Sequence, residues 1–372
     1  MARARGGLPG WLNDAVFALP TAACVETAAL CRSRGWPVVD LGPNPARLPD
    51  VLESVSDMAT VEAMRRGIGR DAAAERAFAA ILPGGRVLGQ ACSAIAPGGV
   101  VLTDVSPHAG EPPQLHRALA SHLVAPRPRR LPGRSALLGA IGHNNFYHWM
   151  LDVLPRIGLV RDAGVGGIER WIVAESRLPV ARELLARCGI DREAIVGLGR
   201  FGHVECDELV VTNAPGRICE ATPRSAAFLR TALGGGGGGS RRVYVARRGR
   251  RKVSNEHELH PVLEAHGFEI VAMEGRSLDE QCAAFRGAAL VVAPHGAALA
   301  HLVQLAPGGT LVELMPPGYA NPSFFMLAGA CGLRYGAILG ESVEGRGGVT
   351  ERDYRIEAQQ LDRALRAVEL HA

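Results

Sequence analysis

Lysine is nearly missing from this 372-residue chain: Lys252 is the single one among 41 basic residues, so arginine carries the positive charge. The net charge of +4 is slight for the length and does not by itself make a nucleic-acid binder. Paired cysteines are missing too. The eight, at 24, 31, 92, 188, 206, 219, 282 and 331, form no CxxC; this speaks against a zinc ribbon and suits scattered reduced thiols in a cytosolic protein. No apolar run reaches membrane length, because AALVVAPHGAALAHLVQLAPGGTLVELM is broken by Pro294, His295, His301 and Gln304. The opening MARARGGLPGWLND has charge but no apolar core of signal-peptide length, so no secretory leader is expected. A GxxxxGK[ST] phosphate loop is absent.

What is present is the composition of a globular protein, 47% hydrophobic and 21% charged, at a length that favours two domains. Residues 1–80 show weak periodicity. The stretch 84–106 gives short β-like runs between Gly and Pro, and 107–134 reads as a Pro- and Arg-rich surface connection. From Ser135 strands and helices alternate: SALLGAIG, a helix over 146–160, RWIVAE, VARELLARCG, DELVVTN and PRSAAFLRTAL. GGGGGGS at 234–240 reads as flexible coil and a domain boundary. The alternation then resumes through RRVYVAR, FEIVAM, ALVVAP and TLVEL, with capping-box spacing at Asn255/Glu258 and Ser277/Glu280. The reading is α/β with parallel sheets. The expected division is 1–233, a linker at 234–240, a second domain at 241–345, and a terminal helical segment at 346–372.

Four places carry chemistry. In GHNNFYHWMLDVLPRIG, helical spacing puts Asn145, His148, Asp152 and Arg156 on one side and the apolar residues on the other. Asp152 placed behind His148 would fix its tautomer and leave the other ring nitrogen as a base; the same spacing also fits a solvated i,i+4 pair. In VYVARRGRRKVSNEHEL, Arg247 and Arg248 end a strand, where open β/α sheets bind ligands and where guanidinium forks suit pyrophosphate. A solvated basic loop would look alike. In ALVVAPHGAALAHL, His295, Gly296 and Ala297 form a strand-to-helix turn whose first N–H groups are free to meet an anion, although an incidental histidine in such a turn reads the same. In TLVELMPP, Glu313 lies near a strand end, where an acid can take a vicinal diol.

The order and spacing of these pieces resemble glycosyltransferase family 61. The similarity lies in N-x-x-H-x-x-x-D-x-x-P (Asn145, His148, Asp152, Pro155), in YVARR-x-RR-x-x-NE (Tyr244 to Glu256), and in the block from Glu274 to Leu314 with its PHGA and PGG-x-x-VEL elements. The resemblance implies a GT-B-like pair of Rossmann-like β/α domains facing a cleft, with a C-terminal helix packing back on the first domain. It implies inverting transfer from a nucleotide-sugar, by family habit UDP-linked, to a hydroxyl of a glycan, at the inner face of a membrane or in the cytoplasm. His148 would be the base, oriented by Asp152. Arg247, Arg248, His295, Gly296 and Ala297 would hold the diphosphate and Glu313 the ribose, with Asn145 touching donor or acceptor. No metal or other cofactor is expected, since GT-B enzymes usually hold none and no Asp-x-Asp is present. Ala300 and His301 depart from the Gly and Thr-Asn many members carry there. Two other readings of the same residues are a non-catalytic carbohydrate-binding scaffold and a different sugar-nucleotide enzyme.

Overall fold

A computed structural model describes residues 20–68, 76–106, 116–120, 125–139, 141–213, 220–343 and 348–370. The chain is mixed α/β and divides into two units, one taking Met1–Pro43 and Arg76–Ile218, the other Asn44–Glu75 and Cys219–Ala372.

The chain begins in the first unit with β1 (Ala22–Cys24), α1 (Thr27–Ser33) and β2 (Val38–Pro43). It then contributes β3 (Asp50–Val51) and α2 (Met58–Gly67) to the second unit before returning with β4 (Arg76–Pro83), β5 (Arg86–Leu88), β6 (Ser93–Ala96) and β7 (Val100–Leu102). The expected short strands over 84–106 are the antiparallel β5–β6–β7 meander. β8 (Arg129–Leu137) starts earlier than the Ser135 of the sequence reading, taking in the end of what had looked like a surface connection. With β9 (Ile168–Ala174), β10 (Ile195–Leu198) and β11 (His203–Thr212) it forms a parallel set in the order β11–β8–β9–β10. A helical segment, α3 (146–162), links β8 to β9, and α4 (Ala181–Arg187) lies between β9 and β10.

The second unit is a six-stranded, wholly parallel sheet, with β12 (Arg241–Ala246), β13 (Phe268–Ala272), β14 (Ala288–Pro294), β15 (Thr310–Met315) and β16 (Arg334–Leu339) in the order β13–β12–β14–β15–β16–β3. Strands buried on both faces read as continuous apolar runs, and every residue of β15 is buried. Besides α2, this unit has the helices α5 (Pro223–Leu233), α6 (Glu256–Ala265), α7 (Leu278–Phe285), α8 (Ser323–Cys331) and α9 (Ala358–Leu370). Tyr244, Val292, Val312 and Leu314 pack on Leu259 and Leu263 of α6 and on Leu361 and Leu365 of α9.

Three expectations change here. The C-terminal helix α9 belongs to the second unit, where Leu361, Leu365 and Val368 join its core; burying such side chains is worth about 1.5–3 kcal/mol each. The division 1–233 also gives way, because α5 packs within the second unit and residues 50–67 complete its sheet edge. β3 pairs with β16, Leu52 N donates to Tyr335 O at 2.8 Å, and Asp57 N donates to Ala337 O at 2.7 Å, so the open ladder of β16 is covered. The glycine run, finally, is ordered inside the second unit. Gly237 bridges to Leu305, and a Cβ on Gly235 would lie 2.6 Å from Val303 O and one on Gly239 2.2 Å from Gly287 O. Glycine is needed there for close backbone approach, not for slack.

The capping box at Ser277/Glu280 is formed, with Ser277 N donating to Glu280 Oε2 at 2.8 Å. The one at Asn255 is not. Its side chain instead pairs with Ile356, accepting from the backbone N and donating to the O.

The glycine geometry separates two neighbouring substitutions. Gly239→Ala should cost about 1–3 kcal/mol through overpacking, whereas Gly238→Ala, which meets nothing within 4 Å, should leave the melting temperature essentially unchanged. Thermal unfolding of both variants checks this, and equal melting temperatures would return the run to the status of a slack linker.

Candidate functional site

In the first unit, β8 leads through Gly-His-Asn-Asn into α3, which has three parts: one α turn over Phe146–His148, a π-helical turn over Trp149–Val153, and an α-helix over Leu154–Asp162. Pro155 explains the middle part. It has no N–H and crowds the carbonyl four residues back, and the chain accommodates it with a widened turn in which Leu154 N reaches Trp149 O. Such turns recur at functional sites.

His148 Nδ1 lies 2.5 Å from Asp152 Oδ2, with side chains 18% and 8% exposed. With Asp152 as carboxylate, Nδ1 carries the proton and Nε2 presents a lone pair. Among the described residues Nε2 has no hydrogen-bond partner. The polar lead-in builds this pose. A Cβ on Gly142, whose φ is +78°, would come within 2.2 Å of the His148 ring, so only glycine lets the ring lie there. His143 O accepts from Trp149 Nε1 at 2.7 Å and from Ser176 Oγ. Asn144 Oδ1 accepts from Arg177 N at 2.8 Å. Asn145 is the helix cap, its Oδ1 accepting from Tyr147 N at 2.9 Å.

Arg156 leaves the polar stripe that helical spacing had given it. It is buried and donates to Asp152 O, Thr212 O and Val105 O at 3.0, 3.2 and 2.8 Å. Burial pulls its pKa down to about 10, with Asp152 pushing back. The residue pins the π turn to the strand ends beneath it.

In the second unit, the chain leaves β12 toward β13 on one side and β14 toward β15 on the other. The gap between β12 and β14 is therefore a topological switch point, where open α/β sheets take ligands. Arg247 follows β12 and His295 follows β14. Arg247 Nη1 donates to His295 O at 3.1 Å and Nε to Arg250 O at 2.6 Å. A Cβ on Gly296 would lie 1.8 Å from Arg247 Nη1, so glycine admits the guanidinium. Burial, and Arg251 beside it, lower the pKa of Arg247, but a guanidinium stays charged at ordinary pH. Arg248 is exposed, its backbone N donating to Glu274 Oε1 at 3.2 Å. The expected helix after His295 is a 3₁₀ segment, Ala297–Gln304, whose first N–H groups remain free of intrahelical partners.

His295 Nδ1 lies 2.6 Å from Glu313 Oε1, and Glu313 Oε2 accepts from Tyr335 Oη at 2.7 Å. Glu313 sits inside β15, fully buried, with both oxygens engaged. It therefore holds His295 and offers no oxygen for the ribose contact expected from its place near a strand end. Burial and the Glu313 charge push the Tyr335 phenol well up, keeping it a donor. Tyr319 packs edge-on against His295, centroids 5.2 Å apart, and Arg251 lies 4.8 Å over the same Tyr319 ring. Tyr335, Tyr319 and Arg251 escaped the sequence reading. Arg251 had a signal in its basic loop, whereas Tyr335 is 22 positions from Glu313 and is joined to it only by sheet pairing. GLGRFG at 197–202, a GxGxxG match also passed over, joins β10 to β11. It lacks the helix that makes that spacing a dinucleotide fingerprint.

Arg247 and His295 thus stand at the carboxyl ends of parallel strands, where open α/β sheets take ligands. The family model described as Glycosyltransferase 61 matches residues 146–312, from the start of α3 into β15, and this match supports membership of that family. The match takes in His148, Asp152, Arg247, Arg248 and His295 and stops one residue short of Glu313. Comparison with curated proteins gives no match. Among the described residues no group of three or more His, Cys, Asp or Glu could hold a metal ion, and no helix is long and apolar enough to cross a membrane.

His301, at the departure from the family pattern, is fully buried against Gln281 Oε1 at 3.1 Å, and burial lowers its pKa to about 3. The unfolded imidazole protonates near 6.5. The stability conferred by keeping it neutral is thus complete above pH 6.5 and is lost as the pH falls toward 3, at up to about 1.4 kcal/mol per pH unit. Denaturant titrations between neutral and mildly acidic pH should show this slope, and His301→Gln should flatten it. An identical slope in the variant would contradict the assignment.

Proposed function

We propose that this protein is an inverting glycosyltransferase of family 61 that moves a sugar from a nucleotide-sugar, UDP-linked, to a hydroxyl of a glycan. The observation that carries the reading is the His148–Asp152 pair, which leaves Nε2 unpartnered on a ring locked in place. The acceptor O–H gives its proton to His148 Nε2, the oxygen bonds to the anomeric carbon, and the bond from that carbon to the diphosphate breaks with its electron pair on the leaving oxygen. Inversion puts base and leaving group on opposite faces of the anomeric carbon, so the two tasks fall to separate sets of residues. Arg247, Arg248, the N–H groups of Gly296 and Ala297, and His295 neutralise the departing charge; such preorganised stabilisation is usually the largest catalytic term. For His295 to donate to the diphosphate, Nε2 must carry a proton as well as Nδ1, which is engaged with Glu313 Oε1. Asn145 acts from its cap position, with its amide nitrogen turned to donor or acceptor. The guanidinium groups do the work a divalent metal does in other transferases, so transfer needs none.

His148→Ala should lower turnover by roughly 10²–10⁴-fold while UDP binding persists; turnover within tenfold of wild type would remove the base assignment. Arg248→Ala should weaken UDP binding by roughly five- to tenfold, a modest loss because the side chain is exposed. Exhaustive chelation should leave transfer undiminished, and a strict Mn²⁺ or Mg²⁺ requirement would refute the metal-free mechanism.

A further inference from the structure

The first unit contains a pocket of about 850 Å³ at the carboxyl end of β9 and beside β10, lined by Trp149, Glu175, Arg177, Arg182 and Arg192, with Val173 and Leu185 also in the lining. The volume falls in the range of small-molecule sites. Its wall is continuous with the loop that carries His148: Ser176 Oγ donates to His143 O, Arg177 N donates to Asn144 Oδ1, and Trp149, the residue after His148, forms part of the lining. Three arginines and one glutamate are among the residues that line this space. Among the described residues none of the three arginines has an ion pair or a side-chain hydrogen bond, whereas Arg187 on the same stretch of chain pairs with Glu183. Gln90 Nε2 donates to Glu175 O at 3.3 Å, which closes one side of the pocket and leaves its carbonyl oxygen, with the Glu175 carboxylate, to accept from sugar hydroxyls.

We propose that this pocket binds an anionic saccharide, whose carboxylate or phosphate is held by Arg177, Arg182 and Arg192, and that this saccharide is the acceptor. Planar guanidinium forks match both oxyanions, and the shared wall brings the bound saccharide beside the loop that positions the base. The word acceptor rests on the transferase reading above; the binding of an anionic saccharide does not.

The test is calorimetry on the full chain with trigalacturonate, a hexose 6-phosphate and neutral maltotriose. At least one anionic probe should bind tenfold or more tighter than maltotriose. Preference for the uronate or for the phosphate identifies which oxyanion the site is built for. The Arg182→Gln/Arg192→Gln double variant should lose that advantage and the Arg182→Lys/Arg192→Lys pair should keep part of it, while UDP affinity in both stays within twofold of wild type. Equal binding of maltotriose, or an anionic preference intact in the glutamine variant, overturns the proposal. A His148→Ala protein that still transfers sugar would sink the base assignment and leave this binding result standing.

Discussion

A carboxylate fixed behind an imidazole is the interaction on which the candidate chemistry turns, and the chain makes it twice. In α3, Asp152 takes Nδ1 of His148; in the parallel sheet, Glu313 takes Nδ1 of His295. Each contact settles which nitrogen faces outward and stops the ring from turning. The surroundings then separate the two. His148 keeps an 18% exposed side chain and stands on a helix, whereas His295 is nearly closed over, with Tyr319 and Phe324 against its ring and Arg247 on its carbonyl. A lone pair toward solvent suits proton removal; a crowded, cation-flanked ring suits contact with an anion.

Neither pair stands without its supports. Asp152 is presented by a π turn that Pro155 makes favourable and that Arg156 ties down through three carbonyl oxygens. Glu313 would be a costly buried charge if alone, and it is accommodated because Tyr335 takes the oxygen that His295 leaves. These are interior hydrogen bonds whose loss would disturb the geometry of groups they do not themselves expose. A substrate-contact role and a supporting role are therefore easily confused by looking at residue type alone, as Glu313 and Arg156 both show.

Much of the second unit could be read in advance because its strands are apolar on both faces and its turns are signed by Gly and Pro. The positions of Arg247, His295 and Gly296 at strand ends follow from that alternation, and the His148–Asp152 contact follows from helical spacing. What could not be read has identifiable physics. Helical angle alone sent Arg156 to the wrong side, because a π turn shifts every later residue around the axis. Composition made the glycine run look slack, since the same residue serves flexibility and close packing. The Tyr335–Glu313 bond and the Asn255–Ile356 pairing join residues distant in sequence, and no local pattern announces them. Residues 50–51 gave no strand signal because β3 has only two residues and draws its order from the edge it covers.

That short strand sets the order in which the molecule can be completed. Asp50 and Val51 leave the ribosome long before Arg334 and Tyr335, their partners on β16, so the early segment must wait, unpaired, while the whole of β4 to β15 is made. Contacts of such long range slow folding and leave apolar side chains such as Met64 uncovered meanwhile. A fragment beginning at the glycine run would never acquire them: its sheet would end on a bare β16, and Tyr335 would lose the Met64 thioether it rests against.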